Sequence, residues 1–249
     1  MADILQSFDS QKTLNPLIWS NASGDDFSSI KLIPEVRVKL FSVAKLFMEG
    51  IKLKNTNIQD IIFTGSLANY NWSEYSDIDL HIVVDKSKID VDPETLDDYF
   101  TIKKDAFNSK HNIKIKGFDA ELYIQGVDEE HIALGVYSIV FNRWLKEPRK
   151  DHIAIDKASI KLKVKGFIAQ IQKVEQMIQT EENPEDIIAM INTLKDRIKK
   201  YRKSGLSDKG EYSDENLVFK YLRRTQYLQK LSDFKMQTID RMFSLQELD

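Results

Sequence analysis

A Gly-Ser pair and, after ten intervening residues, an Asp-x-Asp constrain this chain more than any other feature. The residues are Phe63-Thr64-Gly65-Ser66, then Asp77-Ile78-Asp79-Leu80. The apolar run Ile61-Ile62-Phe63 predicts a short buried strand that ends at the Gly-Ser pair. Leu67 to about Asn71 is expected to form the first turn or two of a helix. Ile78, Leu80, Ile82 and Val84 alternate with Asp77, Asp79, His81 and Val83, which is a strand pattern. Glycine lets a backbone come close to a phosphate, and a helix start offers N–H groups to an anion. Alternation puts Asp77 and Asp79 on one strand face. Two such carboxylates repel by about 4 kcal/mol at an effective dielectric of roughly 20, and a divalent cation removes that cost. Hard oxygen ligands beside a phosphate-holding turn suit Mg²⁺. A bare Asp-x-Asp is more often a solvated strand start or a helix cap. The Gly-Ser pair upstream, with strand patterns on both sides, favours a site for a metal-bound nucleoside triphosphate.

A third carboxylate is expected from a neighbouring strand. Ile113-Lys114-Ile115-Lys116 and Phe118 to Gln125 read as two strands joined at Gly117. The second offers Asp119 and Glu121 on one face, with Phe118, Ala120, Leu122 and Ile124 on the other. Glu121 sits mid-strand, where an acid has least reason to be merely solvated. Asp119 lies by the glycine turn, where aspartate is common for local reasons. Glu121 is therefore assigned as metal ligand and proton acceptor, with Asp119 as the competing choice. Ser66 is expected to hold phosphate, to cap a helix, or to do both. His81 shares the face of Asp77 and Asp79 and is read as orienting an aspartate or as a satisfied core histidine.

The remainder of the chain supplies a frame. Pro34 opens a helix carrying Val36, Leu40, Val43, Ala44, Phe47 and Met48, and Asp92-Pro93-Glu94 opens another that runs to about Asn108. Residues 1–33 read as an irregular arm. Strands alternating with helices predict an α/β (α+β) head over residues 1–150, a small mixed sheet flanked by helices. Residues 151–249 predict a C-terminal helical bundle. Ile160 to Ile178 form one stripe, and Asn183-Pro184-Glu185-Asp186 is a capped helix start. Ile187, Ile191, Leu194, Ile198 and Tyr201 make a packing seam, and Ser213-Asp214-Glu215 caps a third helix extending through Leu228.

Composition excludes some classes. With no cysteine there are no disulfides and no thiolate zinc site. The four histidines, His81, His111, His131 and His152, lack metal-pair spacing on one helix. No apolar run approaches the roughly 20 residues a membrane span needs, and the N-terminus shows no signal-peptide pattern. Residues 1–150 hold 18 Lys/Arg against 23 Asp/Glu, and residues 151–249 hold 18 against 16. That balance does not mark a general nucleic-acid binder. The basic run Lys195 to Lys203, the Lys220, Arg223, Arg224 cluster, and the Lys161, Lys165 pair are candidates for gripping RNA or triphosphate, or simply solvated helix faces.

The Gly65-Ser66 and Asp77-Ile78-Asp79 pattern, with a later acid, resembles the DNA polymerase β-like nucleotidyltransferase superfamily. Gly65 and Ser66 match its phosphate-binding turn, and Asp77, Asp79 and Glu121 match its acids. A longer likeness covers Asp60 to Trp72, Ser76 to His81, Gly135-Val136-Tyr137-Ser138, Gly210-Glu211-Tyr212-Ser213 and Asn216 to Lys220. Those stretches look like the predicted nucleotidyltransferases of tailed bacteriophages. The resemblance implies transfer of a nucleoside monophosphate from a triphosphate to a hydroxyl, using two Mg²⁺ ions or Mn²⁺ in their place. The acceptor would be an RNA end, a protein side chain, a small molecule or another nucleotide, in the cytoplasm of a bacterial host. The helical half is expected to select base and acceptor. The rival expectations are a catalytically silent nucleotide- or RNA-binding module, and a partner-binding role for the 183–203 seam.

Overall fold

The computed structural model describes residues 2–51, 58–129, 133–150, 154–180 and 182–244. Contacts divide the chain into two compact units. One joins Met1–Phe8 to Ile153–Asp249, and the other is Asp9–His152. A short helix, α1 (Ala2–Gln6), belongs to the former.

Among its described residues, the Asp9–His152 unit is a six-stranded mixed sheet with two α-helices. α2 (Pro34–Ile51) precedes β1 (Ile58–Thr64) and β2 (Ile78–Val84). α3 (Pro93–Lys110) follows, then β3 (Lys114–Ile115), β4 (Phe118–Gly126), β5 (Val136–Ser138) and β6 (Arg143–Lys146). The strand order is β3-β4-β2-β1-β5-β6. β1 and β2 are antiparallel, whereas β2 and β4 are parallel. A parallel neighbour needs a crossover, and α3 supplies it. Its start is fixed by Asp92, whose carboxylate accepts from the Thr95 N–H at 3.0 Å, and by Pro93 at the first helical position. β3 and β4 turn through Lys116 and Gly117, both with positive φ (53° and 90°), the geometry a two-residue hairpin prefers.

Strand period separates the two faces of this sheet. Ile61, Phe63, Ile78, Leu80, Ile82, Val84 and Leu122 are buried in one core with Val36, Leu40, Phe47, Leu96 and Phe100 of the helices. The opposite face carries the polar residues. The short β5 and β6 were not foreseen from the sequence, being three and four residues long.

Residues 9–33 hold little regular structure, only a single bridge between Trp19 and Leu32, yet they are core. Leu14, Ile18, Trp19, Ile30 and Leu32 are buried. Trp19 stacks on Trp144 at 4.5 Å and on Phe63 at 5.6 Å. Its indole N–H donates to the Leu67 carbonyl at 2.7 Å. The arm thus braces the turn that follows β1, because a buried indole N–H must find an acceptor.

The other unit is a helical bundle: α4 (Lys157–Gln179), α5 (Pro184–Lys209), α6 (Asp214–Arg224) and α7 (Tyr227–Phe243). Asp156, Asn183 and Ser213 cap the first three through their side chains. The continuous third helix expected through Leu228 is broken instead. Gln226 adopts φ 62°, a left-handed conformation that ends α6 and starts α7. Ile187, Ile191, Leu194 and Ile198 are buried against the other helices, so the seam is internal to this unit. Leu5 and Phe8 join the same core, and the Arg224 guanidinium lies 4.9 Å over the Phe8 ring while donating to Ser7 Oγ at 2.7 Å. Among the described residues no helix is long and apolar enough to cross a membrane.

Candidate active site

The turn after β1 is tighter than expected. In place of a helix of one or two turns there is a single 3₁₀ turn, Ser66–Ala68, closed by Ala68 N–H to the Gly65 carbonyl at 3.2 Å and Asn69 N–H to the Ser66 carbonyl at 3.1 Å. Asn69 then turns extended (φ −148°), which stops propagation. The helix expected from the sequence is therefore cut to a single turn, which opens on a sharp glycine bend. Gly65 has φ 79° and ψ −163°, a region essentially open only to glycine.

The same glycine has a second reason to lack a side chain. A Cβ built on it would fall on the Asp79 carboxylate. Thr64 is the cross-strand partner of Asp79, so β1 delivers the bend directly beside the acid. Gly135 repeats the logic from behind, because a Cβ there would collide with the Ala68 carbonyl. The Gly135 carbonyl also accepts from Thr64 Oγ1 at 3.2 Å. The turn is thus walled by Asp79 on one side and Gly135 on the other.

Ser66 does not cap a helix. Its hydroxyl meets Ser76 Oγ at 2.8 Å, and Ser76 Oγ in turn accepts from the Ser73 N–H at 3.0 Å. This bridge ties the Gly-Ser turn to the residue just before Asp77. Asp77 immediately precedes β2, while Asp79 lies within it; both are partly exposed between buried Ser76, Ile78 and Leu80.

β4 places Glu121 opposite Asp79, Cα partner to Cα partner in the parallel ladder. Neighbouring strands run about 4.8 Å apart, so the two carboxylates leave the same face side by side. Asp119 is engaged elsewhere: its carboxylate pairs with Lys114 across the β3–β4 hairpin at 2.7 Å and its side chain is half exposed. Glu121 Oε2 accepts from the Tyr123 hydroxyl at 2.6 Å. His81 bonds through Nδ1 to Gln125 Oε1 at 2.9 Å and stacks on Tyr123 at 4.9 Å. Tyr123 was overlooked in the sequence, although its two-residue step from Glu121 puts it on the acid face.

The donor set is chemically right for Mg²⁺, which takes one or two carboxylates and completes its shell with water and substrate phosphate. Among the described residues no three acidic or imidazole side chains converge closely enough to hold a metal by themselves. Asp79 and Glu121, adjacent on one face beside the bend, fit a site that a triphosphate would complete.

One buried acid near the bend has a structural role. Asp60 is only 8 % exposed and accepts from Ser138 Oγ at 2.8 Å and from the Ile61 N–H at 2.7 Å, locking β1 to β5. Burial raises its pKa despite these bonds. A raised folded-state pKa means that Asp60 supports the fold below its unfolded value and loses that support as pH rises through the folded one. Asp60→Asn should gain stability relative to the parent between acid and neutral pH. Urea midpoints at both ends check this; a variant that loses ground as pH rises would contradict it.

The basic segments of the helical unit are partly committed. Lys195 donates to Ser232 Oγ at 2.9 Å, Arg197 to Gln170 Oε1 at 3.0 Å, and Arg202 to Asn216 Oδ1 at 3.2 Å while lying 4.2 Å over the Phe219 ring. Lys220 is turned inward toward Glu211 at 3.4 Å. Lys161 and Lys165 are exposed. Of the histidines, His131 and His152 lie outside the described residues.

Residues 45–130 match the family described as "Nucleotidyltransferase domain", about a third of the chain. No curated protein matches the chain. Among solved structures, the STING-associated CdnE c-di-GMP synthase from Capnocytophaga granulosa aligns at 14% identity over 96% of this chain and 99% of that one. Its TM-score is 0.23, and the likeness carries no argument.

Proposed function

We propose that the nucleotidyltransferase domain carried by residues 45–130 is a working enzyme. It moves a nucleoside monophosphate from a nucleoside triphosphate to a hydroxyl and releases pyrophosphate. The observation that carries this reading is the Asp79–Glu121 pairing beside Gly65, where two acids share one sheet face with a glycine bend.

Asp77, Asp79 and Glu121 are the residues that would hold two Mg²⁺ ions, with Mn²⁺ as a substitute. When bound, such ions stabilise charge on the attacking and leaving oxygens of an in-line displacement. Glu121 takes the proton of the acceptor hydroxyl as its oxygen bonds to the α-phosphorus. The bond from that phosphorus to the bridging oxygen breaks, and the electron pair leaves with pyrophosphate. Asp119 is the less suitable third acid because Lys114 already neutralises it.

Ser66 orients the terminal phosphates. The two hydroxyls of the Ser66–Ser76 pair can exchange donor and acceptor roles. With Ser76 donating to Ser66, the Ser66 proton points to a phosphate oxygen. Gly65 lets that phosphate approach the backbone. The affiliation with tailed phages, and with it a bacterial cytoplasm, rests on the sequence likeness given above.

Incubation with each of four labelled triphosphates, Mg²⁺ and a bacterial lysate tests the reading. The expected result is pyrophosphate release together with a labelled acceptor. Tight nucleotide binding without release, from every triphosphate, would point instead to the silent binding module.

A further inference from the structure

Resting on that reading of Glu121, we infer that Tyr123 is a positioning residue that fixes the Glu121 carboxylate for metal binding. Glu121 has little backbone freedom. On one side β4 is held by its ladder with β2. On the other, Asn108 of α3 stands in for a missing strand: its Nδ2 donates to the Leu122 carbonyl at 2.9 Å and its Oδ1 accepts from the Leu122 N–H at 3.0 Å. The next backbone unit is therefore clamped from both edges. What remains free in Glu121 is its side-chain torsions, and the Tyr123 hydroxyl removes that freedom by donating to Oε2 at 2.6 Å.

The phenol is itself immobilised. Its ring lies on His81 at 4.9 Å with 30° between planes, and the Lys104 ammonium sits 5.6 Å from its centroid. His81 is oriented by Gln125, and Gln125 is oriented by its Nε2 donating to the Glu129 carbonyl at 3.0 Å. That bond turns Gln125 Oε1 toward the ring, so His81 Nδ1 carries the proton. One carboxylate oxygen of Glu121 is thus reserved for Tyr123, and Oε1 is left for the metal. A ligand pre-oriented by a hydrogen-bonded neighbour binds more tightly than one that must be ordered on binding.

The test is Mn²⁺ titrated by electron paramagnetic resonance into the full chain in the presence of a non-hydrolysable analogue of each of the four nucleoside triphosphates in turn, on the parent, Tyr123→Phe, Glu121→Gln and Tyr99→Phe. Tyr99 also donates its hydroxyl within this unit, to the Ile51 carbonyl at 3.3 Å, and serves as the control. Tyr123→Phe should weaken Mn²⁺ binding about ten- to a hundredfold, with a melting temperature like that of Tyr99→Phe. Tyr99→Phe should bind as the parent does. If Glu121→Gln loses Mn²⁺ and Tyr123→Phe does not, the positioning role is wrong and the enzyme reading stands. If Glu121→Gln binds Mn²⁺ like the parent, or the parent binds none, the assignment of Glu121 falls and Tyr123 falls with it.

Discussion

The double substitution Asp77→Asn, Asp79→Asn is expected to abolish turnover and leave the fold standing. Each change keeps the side chain's shape and removes the charge that would hold a cation. Metal stabilisation of the transition state is worth several kcal/mol, and each 1.36 kcal/mol is a factor of ten in rate. The loss should therefore be at least about 10³-fold. The core residues beside these acids, Ile78 and Leu80, are untouched and fully buried. The checks are pyrophosphate release and a thermal melt without divalent cations. Turnover surviving in a folded double variant would falsify the mechanism outright.

The second large effect is expected at Gly65. Gly65→Ala meets two penalties that the geometry separates. The backbone conformation is open essentially to glycine alone, a cost of about 1–3 kcal/mol. The added methyl also falls on the Asp79 carboxylate, which must leave its place. A misplacement of about 1 Å at a reacting centre costs roughly a hundredfold in rate. Gly117→Ala is the matched control. Its φ is 90°, but nothing lies within 4 Å of an added Cβ, and the residue sits in the β3–β4 turn. Both variants should melt lower, by roughly 2–4 °C per kcal/mol in a chain of this size. Only Gly65→Ala should lose most of its activity. Equal losses in the two would mean that strain alone is at work and that Asp79 is not displaced.

Local patterns carried much of the fold. The alternation around Ile78 to Val84 marked β2 because a strand with one apolar face must repeat every second residue. Asp92-Pro93, Asn183-Pro184 and Ser213 marked helix starts because capping chemistry acts within four residues. The limits of that locality show at Ser66, where a short helix was expected and a single 3₁₀ turn formed. Trp19, forty-eight residues earlier, takes the Leu67 carbonyl, and Gly135 packs on that of Ala68. Neither contact leaves a trace in the sequence around the turn. Gln226 likewise breaks a helix that the apolar residues Val218, Tyr221, Leu222 and Leu228 had extended through Leu228, since spacing records burial and not backbone conformation.

The chain by itself specified a glycine-serine bend, an aspartate pair on one strand face and a bundle of capped helices, because each depends on neighbours a few residues away. Only the tertiary structure decided that β4 runs parallel beside β2, which sets Glu121 against Asp79 and leaves Asp119 to Lys114. Strand pairing is chosen by the burial of whole faces and by the crossover through α3. That energy is summed over the sheet and belongs to no single segment.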